Sequence, residues 1–380
     1  MKMKPDTQYL HTGNEVDPLY GASSVPIYQA STFHQGFDDE VLYDYARSGN
    51  PTRAALENIV ATLEGGVRGF AFSSGMAAIT AALLILPSGS HVIACEDLYG
   101  GTFRALTRVF TRLGIETTFV DATDPQNIAR ALRPNTKAVY LETPSNPTMR
   151  IIDIRACAEI AKGAGAVTMV DNTFMTPYFQ KPHELGADIV LHSATKFLGG
   201  HSDVIAGVAT VNSDALAQEM YLIQNGFGAV LGPQDCFLVM RGIKTLGVRM
   251  RQSEATAIRL AAFLREEPQV QRIYYPGIKE HEGHATHMRQ ATGPGALLSF
   301  TLRDEDAVRA FVKRLKLPLF AVSLGAVESI LSYPIRMSHA AMPEEERQKR
   351  GITAGLLRMS VGLEDIEDLI EDFRQAFAAL

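Results

Sequence analysis

The sequence predicts an α/β fold, in which a large domain with a mostly parallel sheet precedes a smaller α+β C-terminal domain. Short apolar strands alternate with helices from about residue 53 to residue 211, a pattern typical of a parallel sheet covered on both faces. After about residue 215 this alternation ends. The length of 380 residues, with 46% hydrophobic residues, is sufficient for two domains with a sizeable core.

Local patterns predict each element of the large domain. The first helix has Leu56, Val60 and Leu63 at helical spacing, and the later strands are short apolar runs that end in turn formers. In chain order, the predicted elements are helix 53–64, strand 69–72, a helix that ends at residue 86, strand 91–95, helix 102–113, strand 116–120, helix 124–132, strand 137–141, helix 153–163, strand 167–170, strand 189–191 and strand 205–211.

The rest of the chain predicts a second domain and an N-terminal arm. We expect residues 53–235 to form the large domain and residues 236–380 to form the C-terminal domain. Its predicted elements are helical material over about 215–266 with an interruption near 226–232, strands 270–275 and 296–302, helix 304–315, strands 318–322 and 356–361, and helix 364–379. Residues 1–52 lack strong periodicity, and so long a structureless segment is expected to wrap a neighbouring subunit.

Composition excludes several classes of protein. The formal net charge is -6 and no basic block is present, which argues against a nucleic-acid-binding surface. The cysteines, Cys95, Cys157 and Cys236, are far apart and odd in number, as expected in a reducing cytoplasm. The N-terminus lacks the apolar core of a signal peptide, and the longest apolar run, 77–86, is too short to span a membrane. We therefore expect a cytoplasmic protein.

Two motifs that suggest other sites are set aside. The stretch His281-Glu-Gly-His284-Ala-Thr-His287 resembles a zinc motif, but Ala285 stands where that motif requires its second histidine. Its surroundings suggest a surface loop, and we expect no metal site. The chain has no Gly-Lys pair and no G-x-G-x-x-G after a strand, so nucleotide-binding loops are not indicated.

Polar residues follow the predicted parallel strands, where ligands bind in open α/β sheets. Five such positions are Ser74-Gly75, Tyr99, Asn146, Asp171 and Lys196. Because parallel strands end at one edge of the sheet, this pattern predicts an active site there.

Lys196 lies in Ser193-Ala-Thr195-Lys196, directly after a strand. Hydroxyl groups bind phosphate, and a partly desolvated amine can form a Schiff base with a carbonyl. The alternative is an ordinary loop with a solvated lysine. Gly75 and Met76 open a helix whose amides could bind an anion, although Ser74 could simply cap that helix.

The other candidates each have a functional and a structural interpretation. Asp171 could pair with the protonated ring nitrogen of pyridoxal phosphate or form a turn. Tyr99 could stack on a cofactor ring and transfer protons, or be a half-buried tyrosine. Arg47 could bind a phosphate or be a solvated loop arginine. Arg358, within an apolar strand, could bind a substrate carboxylate or form a salt bridge.

Taken in order, the motifs resemble those of the pyridoxal-phosphate enzymes of cysteine and methionine metabolism, the trans-sulfuration enzymes, over nearly the whole chain. They are Tyr45-Ala-Arg-Ser-Gly-Asn-Pro-Thr52, Ser74-Gly-Met76, Asp97-Leu-Tyr-Gly-Gly-Thr102, Glu142-Thr-Pro-Ser-Asn-Pro147, Val170-Asp-Asn-Thr-Phe174, the stretch 188–202 and Ser323-Leu-Gly325. The resemblance implies the aspartate-aminotransferase-like fold, fold type I, and a homotetramer of two active dimers.

The resemblance also implies a role for each site residue. Lys196 would carry pyridoxal 5'-phosphate as a Schiff base and act with Tyr99 in catalysis. The cofactor would be held by Tyr45, Arg47, Gly75, Met76, Tyr99, Asp171, Ser193 and Thr195, with Tyr45 and Arg47 reaching the neighbouring subunit. The substrate, a small sulfur-containing amino acid, would contact Asn146, Ser323, Arg358 and Arg104.

The expected reaction is γ-elimination of cystathionine, and of homocysteine, giving cysteine or hydrogen sulfide, 2-oxobutyrate and ammonia. It rests on a likeness to bacterial cystathionine γ-lyases at Gly325-Ala-Val-Glu-Ser329 and Gly351-Ile-Thr353. Cystathionine γ-synthase and methionine γ-lyase are the alternatives. Gly101 stands where methionine γ-lyases typically have cysteine. Val322 stands where cystathionine-handling members often have glutamate.

Overall fold

Two β-sheets organise the chain in the computed structural model, which describes residues 3–13, 17, 19–37, 41–340, 342–378 and 380. The first seven strands are β1 (Arg68–Phe72), β2 (His91–Cys95), β3 (Glu116–Val120), β4 (Thr136–Glu142), β5 (Val167–Asp171), β6 (Ile189–Ser193) and β7 (Gly207–Val211). They form one sheet in the order β1-β7-β6-β5-β4-β2-β3. Only β7 runs antiparallel to its neighbours, so the predicted mostly parallel sheet is confirmed.

The second sheet has five strands. These are β8 (Arg272–Tyr274), β9 (Leu297–Thr301), β10 (Leu319–Phe320), β11 (Ile330–Ser332) and β12 (Leu356–Ser360), in the order β10-β11-β12-β9-β8. All pairs except β10 with β11 are antiparallel. This is the smaller α+β region predicted after the parallel sheet. The domain boundary between residues 235 and 236 stays a prediction.

Helices cover both sheets. They are α1 (Pro5–His11), α2 (Pro51–Glu64), α3 (Gly75–Leu84), α4 (Gly100–Arg104), α5 (Pro125–Ala131), α6 (Ile154–Gly163), α7 (Thr176–Phe179), α8 (Asp214–Phe227), α9 (Pro233–Lys244), α10 (Leu246–Glu266), α11 (His284–Gln290), α12 (Glu305–Arg314), α13 (Glu344–Lys349) and α14 (Ile366–Phe377). No helix among the described residues is long and apolar enough to cross a membrane.

Capping defines where α2 begins and ends. The side chain of Asn50 accepts hydrogen bonds from the amides of Thr52 and Arg53, and Pro51 occupies the first turn, where no amide donor is needed. The helix ends at Gly65, whose φ of 79° is readily adopted only by glycine. Because both ends are fixed, the last residue of α2, Glu64, has a fixed place beneath the parallel sheet.

Three apolar clusters hold these layers together. One joins the parallel sheet to α3, α6 and α8. A second joins α2, α9 and α10 to the segment after β6, through residues such as Phe197 and Leu198. A third fills the space between the smaller sheet, α10, α12 and α14. The second cluster therefore packs the candidate lysine segment against the long helix α10.

Some predicted elements differ from the structure. The predicted surface loop at His281–His287 is wrong in part, since α11 begins at His284 and His287 is buried, with Nε2 3.0 Å from the Gly293 carbonyl oxygen. Predicted helix 102–113 is α4 followed by a π-helical turn, Ala105–Val109, and a 3-10 turn, Phe110–Leu113. The short β11 was not predicted, because two apolar residues followed by a serine do not distinguish a strand from a loop.

Candidate active site

The strands β4, β5 and β6 lie side by side and end at the same edge of the parallel sheet. Glu142 pairs in register with Asp171, and Asp171 pairs with Leu191, two residues before Ser193. The structure therefore brings the polar ends of three strands together, as expected from the sequence pattern.

Lys196 lies in a tight turn after β6. Its amide donates to the Ser193 carbonyl at 3.1 Å, and its carbonyl accepts from the amide of Gly200 at 2.7 Å. Its side-chain Nζ donates to Ser323 Oγ at 2.6 Å. Burial, reinforced by the positive charge of Arg358, lowers the pKa of Lys196 to about 8. A pKa of about 8 leaves a minor but appreciable fraction of this amine neutral near physiological pH, and that fraction can act as a base or nucleophile.

The segment that carries Ser323 comes from the second part of the chain and packs on the lysine turn. Ser323 has φ of 87°, a left-handed conformation that is uncommon for serine and found at functional sites. Gly325 has φ of 78°, and a Cβ there would lie 2.6 Å from the amide nitrogen of Phe197. Only glycine allows this close approach, which places the Ser323 hydroxyl on the Lys196 amine.

Arg358, on β12, is 3% exposed. Its guanidinium donates to Asn146 Oδ1 at 2.8 Å, to the Ser323 carbonyl at 2.7 Å and to Ser332 Oγ at 3.1 Å. Its Nε has no partner among the described residues, and no carboxylate forms a salt bridge with Arg358 there. Burial lowers its pKa to about 10, which still leaves it charged near neutral pH. A buried, partly unpaired fork suits a carboxylate ligand.

Asp171 is a buried carboxylate whose two oxygens have different hydrogen-bond partners. Its Oδ1 accepts from the Thr173 amide at 3.0 Å and the Thr173 hydroxyl at 2.5 Å, so the turn interpretation is confirmed for this atom. Its Oδ2 lies 3.4 Å from the Tyr140 hydroxyl. Burial raises the pKa of Asp171, and the Thr173 hydrogen bonds and the positive charge of His192 oppose that rise. A cationic partner at Oδ2 would offset the desolvation.

The start of α3 lies against the end of β6. A Cβ on Gly75 would lie 2.8 Å from Ser193 Cβ, so glycine allows the helix start to approach the strand end. Ser74 Oγ accepts from the Ala77 amide, and the capping interpretation of Ser74 is confirmed. The amides of Gly75 and Met76 in this first turn have no acceptor within the helix, and such amides can bind an anion.

The hydroxyl group of Thr195 already forms hydrogen bonds with the backbone of the same chain. Its hydroxyl donates to the Ala206 carbonyl at 3.2 Å and accepts from the Ala206 amide at 3.0 Å. Ser193 is fixed through its backbone, because its amide donates to the Thr173 hydroxyl at 2.9 Å. The turn that carries both hydroxyls is therefore held rigidly.

Tyr99 lies beside the same cluster and caps α4. Its amide donates to Glu142 Oε2 at 2.8 Å, and its side chain is 42% exposed. A Cβ on Gly101 would lie 2.4 Å from Tyr99 Cε1 and 3.0 Å from Met76 Sδ. Glycine at 101 thus allows the tyrosine ring to pack close to the start of α3.

Three predicted site residues lie on the surface of the single chain. Arg47 donates to the Asn225 carbonyl at 2.7 Å and to the Asn225 side chain at 2.8 Å. The ring centre of Tyr45 lies 5.6 Å from the guanidinium carbon of Arg47, and Tyr45 is 47% exposed. Arg104 is exposed at the end of α4. None of the contacts within the described residues joins these three side chains to Lys196.

Several residues of the site were not assigned a role from the sequence. They include Glu142, which holds Tyr99; Ser332, which binds Arg358; and Thr173, which binds both Asp171 and the Ser193 amide. Glu142 and Thr173 each stand within one residue or two of a strand end, so their position was a usable signal. Ser332 lies on the unpredicted β11 and had no such signal.

The residues present fit pyridoxal phosphate. An aldehyde would meet the amine of Lys196, a phosphate would meet the amides at the start of α3, and a protonated pyridine nitrogen would offset the burial of Asp171. A fold type I sheet that carries these groups at adjacent strand ends defines a pyridoxal-phosphate-dependent enzyme. The comparisons with known proteins identify its family.

A model of the family described as "Cys/Met metabolism PLP-dependent enzyme" matches residues 6–378, and the chain belongs to this family. The cystathionine β-lyase MetC of Bacillus subtilis (strain 168) is 60% identical over 372 residues, 98% of this chain and 95% of the relative. The cystathionine γ-lyase of the same strain is 53% identical over 375 residues, 98% and 99% of the two chains.

A comparison with solved structures also finds a cystathionine lyase. Cystathionine γ-lyase from Lactobacillus plantarum, complexed with L-serine, has a TM-score of 0.97 and 44% identity, with 99% of both chains covered. The fold prediction, the cofactor and the family resemblance are confirmed. This chain is a pyridoxal-phosphate-dependent carbon–sulfur lyase of the cystathionine lyase family.

Proposed function

We propose that this enzyme cleaves cystathionine by β-elimination, giving homocysteine, pyruvate and ammonia. The observation that carries the assignment is the 60% identity, over 98% of this chain, to a protein named cystathionine β-lyase. The site supports the chemistry. An amine with a pKa of about 8 lies 2.6 Å from Ser323, whose carbonyl in turn binds the carboxylate-sized fork of Arg358.

The cofactor would be held by groups at the three strand ends. Asp171 Oδ2 would bind the ring nitrogen, and Tyr99 would stack on the ring. The amides of Gly75 and Met76, with the hydroxyls of Ser193 and Thr195, would bind the phosphate. Pyridoxal phosphate would supply an electron-accepting ring, on which the amino group of the substrate would take the place of the Lys196 amine and so free that amine to move protons.

The substrate would be oriented by Arg358. Its fork would bind the carboxylate, while Asn146 and Ser323 fix the guanidinium from the other side. The carboxylate and the amino nitrogen would be held at two points, which would leave the α-proton within reach of the amine of Lys196. Lys196 takes that proton, and the bond between the β-carbon and sulfur breaks. Tyr99 or the protonated Lys196 can donate a proton to the departing sulfur.

The γ-elimination expected from the sequence is the second candidate. Its support is the 53% identity to a cystathionine γ-lyase and the 44% identity to the solved γ-lyase structure. That reaction also requires removal of a β-proton, for which Lys196 would serve again. Val322 is 64% exposed and offers no carboxylate for the distal ammonium of cystathionine. Arg104, exposed on α4, would be the charged residue available to the distal end of the substrate.

The 2-oxo acid product distinguishes the reactions. Purified holoenzyme is supplied with L-cystathionine, and the 2-oxo acid and the thiol are identified by mass spectrometry. Pyruvate with homocysteine supports β-elimination, whereas 2-oxobutyrate with cysteine overturns it in favour of γ-elimination. Incubation with cysteine and an O-acylated homoserine provides the test for γ-replacement, since net formation of cystathionine would assign a synthase.

We also propose that the enzyme is a cytoplasmic homotetramer built from two active dimers. Tyr45 and Arg47 lie on the surface of one chain and would reach the cofactor phosphate of its neighbour. Exposed apolar side chains that such interfaces would bury include Leu42, Ile205, Leu222, Phe227 and Val248. Sedimentation analysis of wild type and Arg47→Ala, with the dissociation constant of the cofactor, tests this arrangement. An assembled variant with unchanged cofactor binding would contradict the role of Arg47.

A further inference from the structure

Glu64 lies where a carboxylate is unfavourable. It is the last residue of α2 and is 1% exposed. The aligned peptide dipoles give the end of a helix partial negative charge, which repels an anionic side chain. Burial also removes the hydration of the carboxylate. A carboxylate in this position must therefore have specific compensating partners.

The partners of Glu64 come from the two strands that carry the candidate cofactor contacts. Its Oε1 lies 2.6 Å from His192 Nε2 and accepts from Asn172 Nδ2 at 2.9 Å. His192 directly precedes Ser193, and Asn172 directly follows Asp171. Because side chains alternate along a strand, Glu64 binds the reverse face of the strand ends whose other face presents Asp171 and Ser193.

The same corner is braced by two buried amides. Asn172 Nδ2 also donates to the Gln180 carbonyl at 2.9 Å. Gln180 Nε2 donates to Asn172 Oδ1 at 3.0 Å and to the Thr143 carbonyl at 3.3 Å. Thr143 directly follows β4, so one buried network joins the ends of β4, β5 and β6. These side chains are 0–2% exposed.

We propose that Glu64 is a positioning residue for the cofactor. Together with His192 and Asn172, it fixes Asp171 relative to Ser193, and so sets the separation between the ring-nitrogen contact and the phosphate contact. The inference rests on the roles proposed above for Asp171 and Ser193. In this arrangement an anion on one face of the sheet determines how tightly the other face holds pyridoxal phosphate.

The principal variant is Glu64→Gln, which keeps the shape but removes the charge that His192 faces. Glu57→Gln is the matched control on the same helix. Glu57 is also largely buried, but its Oε1 accepts from the Ala71 amide at 2.9 Å and from Gln224 Nε2 at 3.0 Å, away from β5 and β6. The release rate of the cofactor from each holoenzyme is followed by its visible absorbance during dialysis, and thermal unfolding is recorded in parallel.

We expect Glu64→Gln to release the cofactor roughly tenfold faster than wild type, the effect of one weakened hydrogen bond to a charged group. Glu57→Gln should release it at the wild-type rate, even if it unfolds at a lower temperature. His192→Gln replaces the imidazole with an amide that can still donate to Glu64, and its release rate should fall between those of Glu64→Gln and wild type. If Glu64→Gln does not fold, the release rate of His192→Gln tests the inference in its place.

Equal release rates for Glu64→Gln, His192→Gln and Glu57→Gln would overturn the inference. Asp171→Asn separates this result from failure of the proposed site. If Asp171→Asn releases the cofactor rapidly while Glu64→Gln does not, only the role of Glu64 is wrong. If Asp171→Asn also matches wild type, the proposed role of Asp171 is wrong, and the inference fails with it.

Discussion

Replacement of Arg358 by lysine tests how the substrate is held. Lysine keeps the positive charge but has one nitrogen instead of a planar fork. The native guanidinium donates to Asn146, Ser323 and Ser332 at 2.7–3.1 Å while leaving Nε unpaired. A single ammonium cannot keep these partners and also bind a carboxylate at two points.

The size of the effect follows from the lost contacts. A hydrogen bond to a charged group contributes about 1.5–3 kcal/mol, so loss of two such bonds, with one partly replaced, raises the barrier by about 3 kcal/mol. Since 1.4 kcal/mol is a factor of ten, kcat/KM for cystathionine should fall roughly 100- to 200-fold. The fall should come mainly from a higher KM, because the carboxylate is bound both in the ground state and during the reaction.

Arg249→Lys is the control for loss of a buried guanidinium. Arg249 is 5% exposed and donates to the backbone carbonyls of Phe197 and Gly242, at 2.7 Å and 2.8 Å. This variant should lose stability without a selective rise in KM. Steady-state kinetics with saturating cofactor and thermal unfolding of both variants make the comparison. A KM for Arg358→Lys within about threefold of wild type would refute the assignment of Arg358 as the carboxylate-binding residue.

Three further predictions concern Lys196, the tyrosine ring of Tyr99 and helix α2. The rate at which apoprotein rebinds pyridoxal phosphate should rise with pH with a midpoint near 8, because burial lowers the pKa of Lys196 to about 8 and only the neutral amine attacks the aldehyde; a midpoint near 10.5, observed by stopped-flow absorbance, would contradict this. Gly101→Ala should lower kcat, since its Cβ would lie 2.4 Å from Tyr99 Cε1, whereas Gly163→Ala, with no atom within 4 Å of its Cβ, should not. Asn50→Ala should destabilise the protein by about 1–2 kcal/mol in urea unfolding, because α2 loses its cap and the Tyr28 carbonyl loses a donor; no change in the midpoint would count against the capping argument.

The sequence predicted the parts of the site that local pattern determines. Lys196 and Asp171 each follow an apolar strand, and such positions meet at one edge of a parallel sheet. The bond between Arg358 and Asn146 joins residues 212 positions apart, so no local pattern could reveal it. Glu64 was counted only as the end of a helix, because its burial depends on strands more than 100 residues away.

The same limit explains the errors in the fold. The polar sequence of α11 gives no clear apolar face, and the burial of His287 is determined by contact with Gly293. Ser332, which binds Arg358, was missed because β11 itself was not predicted. In both cases tertiary packing determines the structure and outweighs local propensity.

Ser323 gives the two ends of the reaction a common support. Its carbonyl is bound by Arg358, and its hydroxyl is bound by Lys196. A carboxylate that draws the guanidinium toward itself would therefore act on the same residue that holds the Lys196 amine. In the proposed site, substrate recognition and proton transfer would therefore be connected through one residue in a left-handed conformation. A substrate analogue without a carboxylate would not engage Arg358. We therefore expect simple thioethers and amines to react more slowly as well as to bind more weakly.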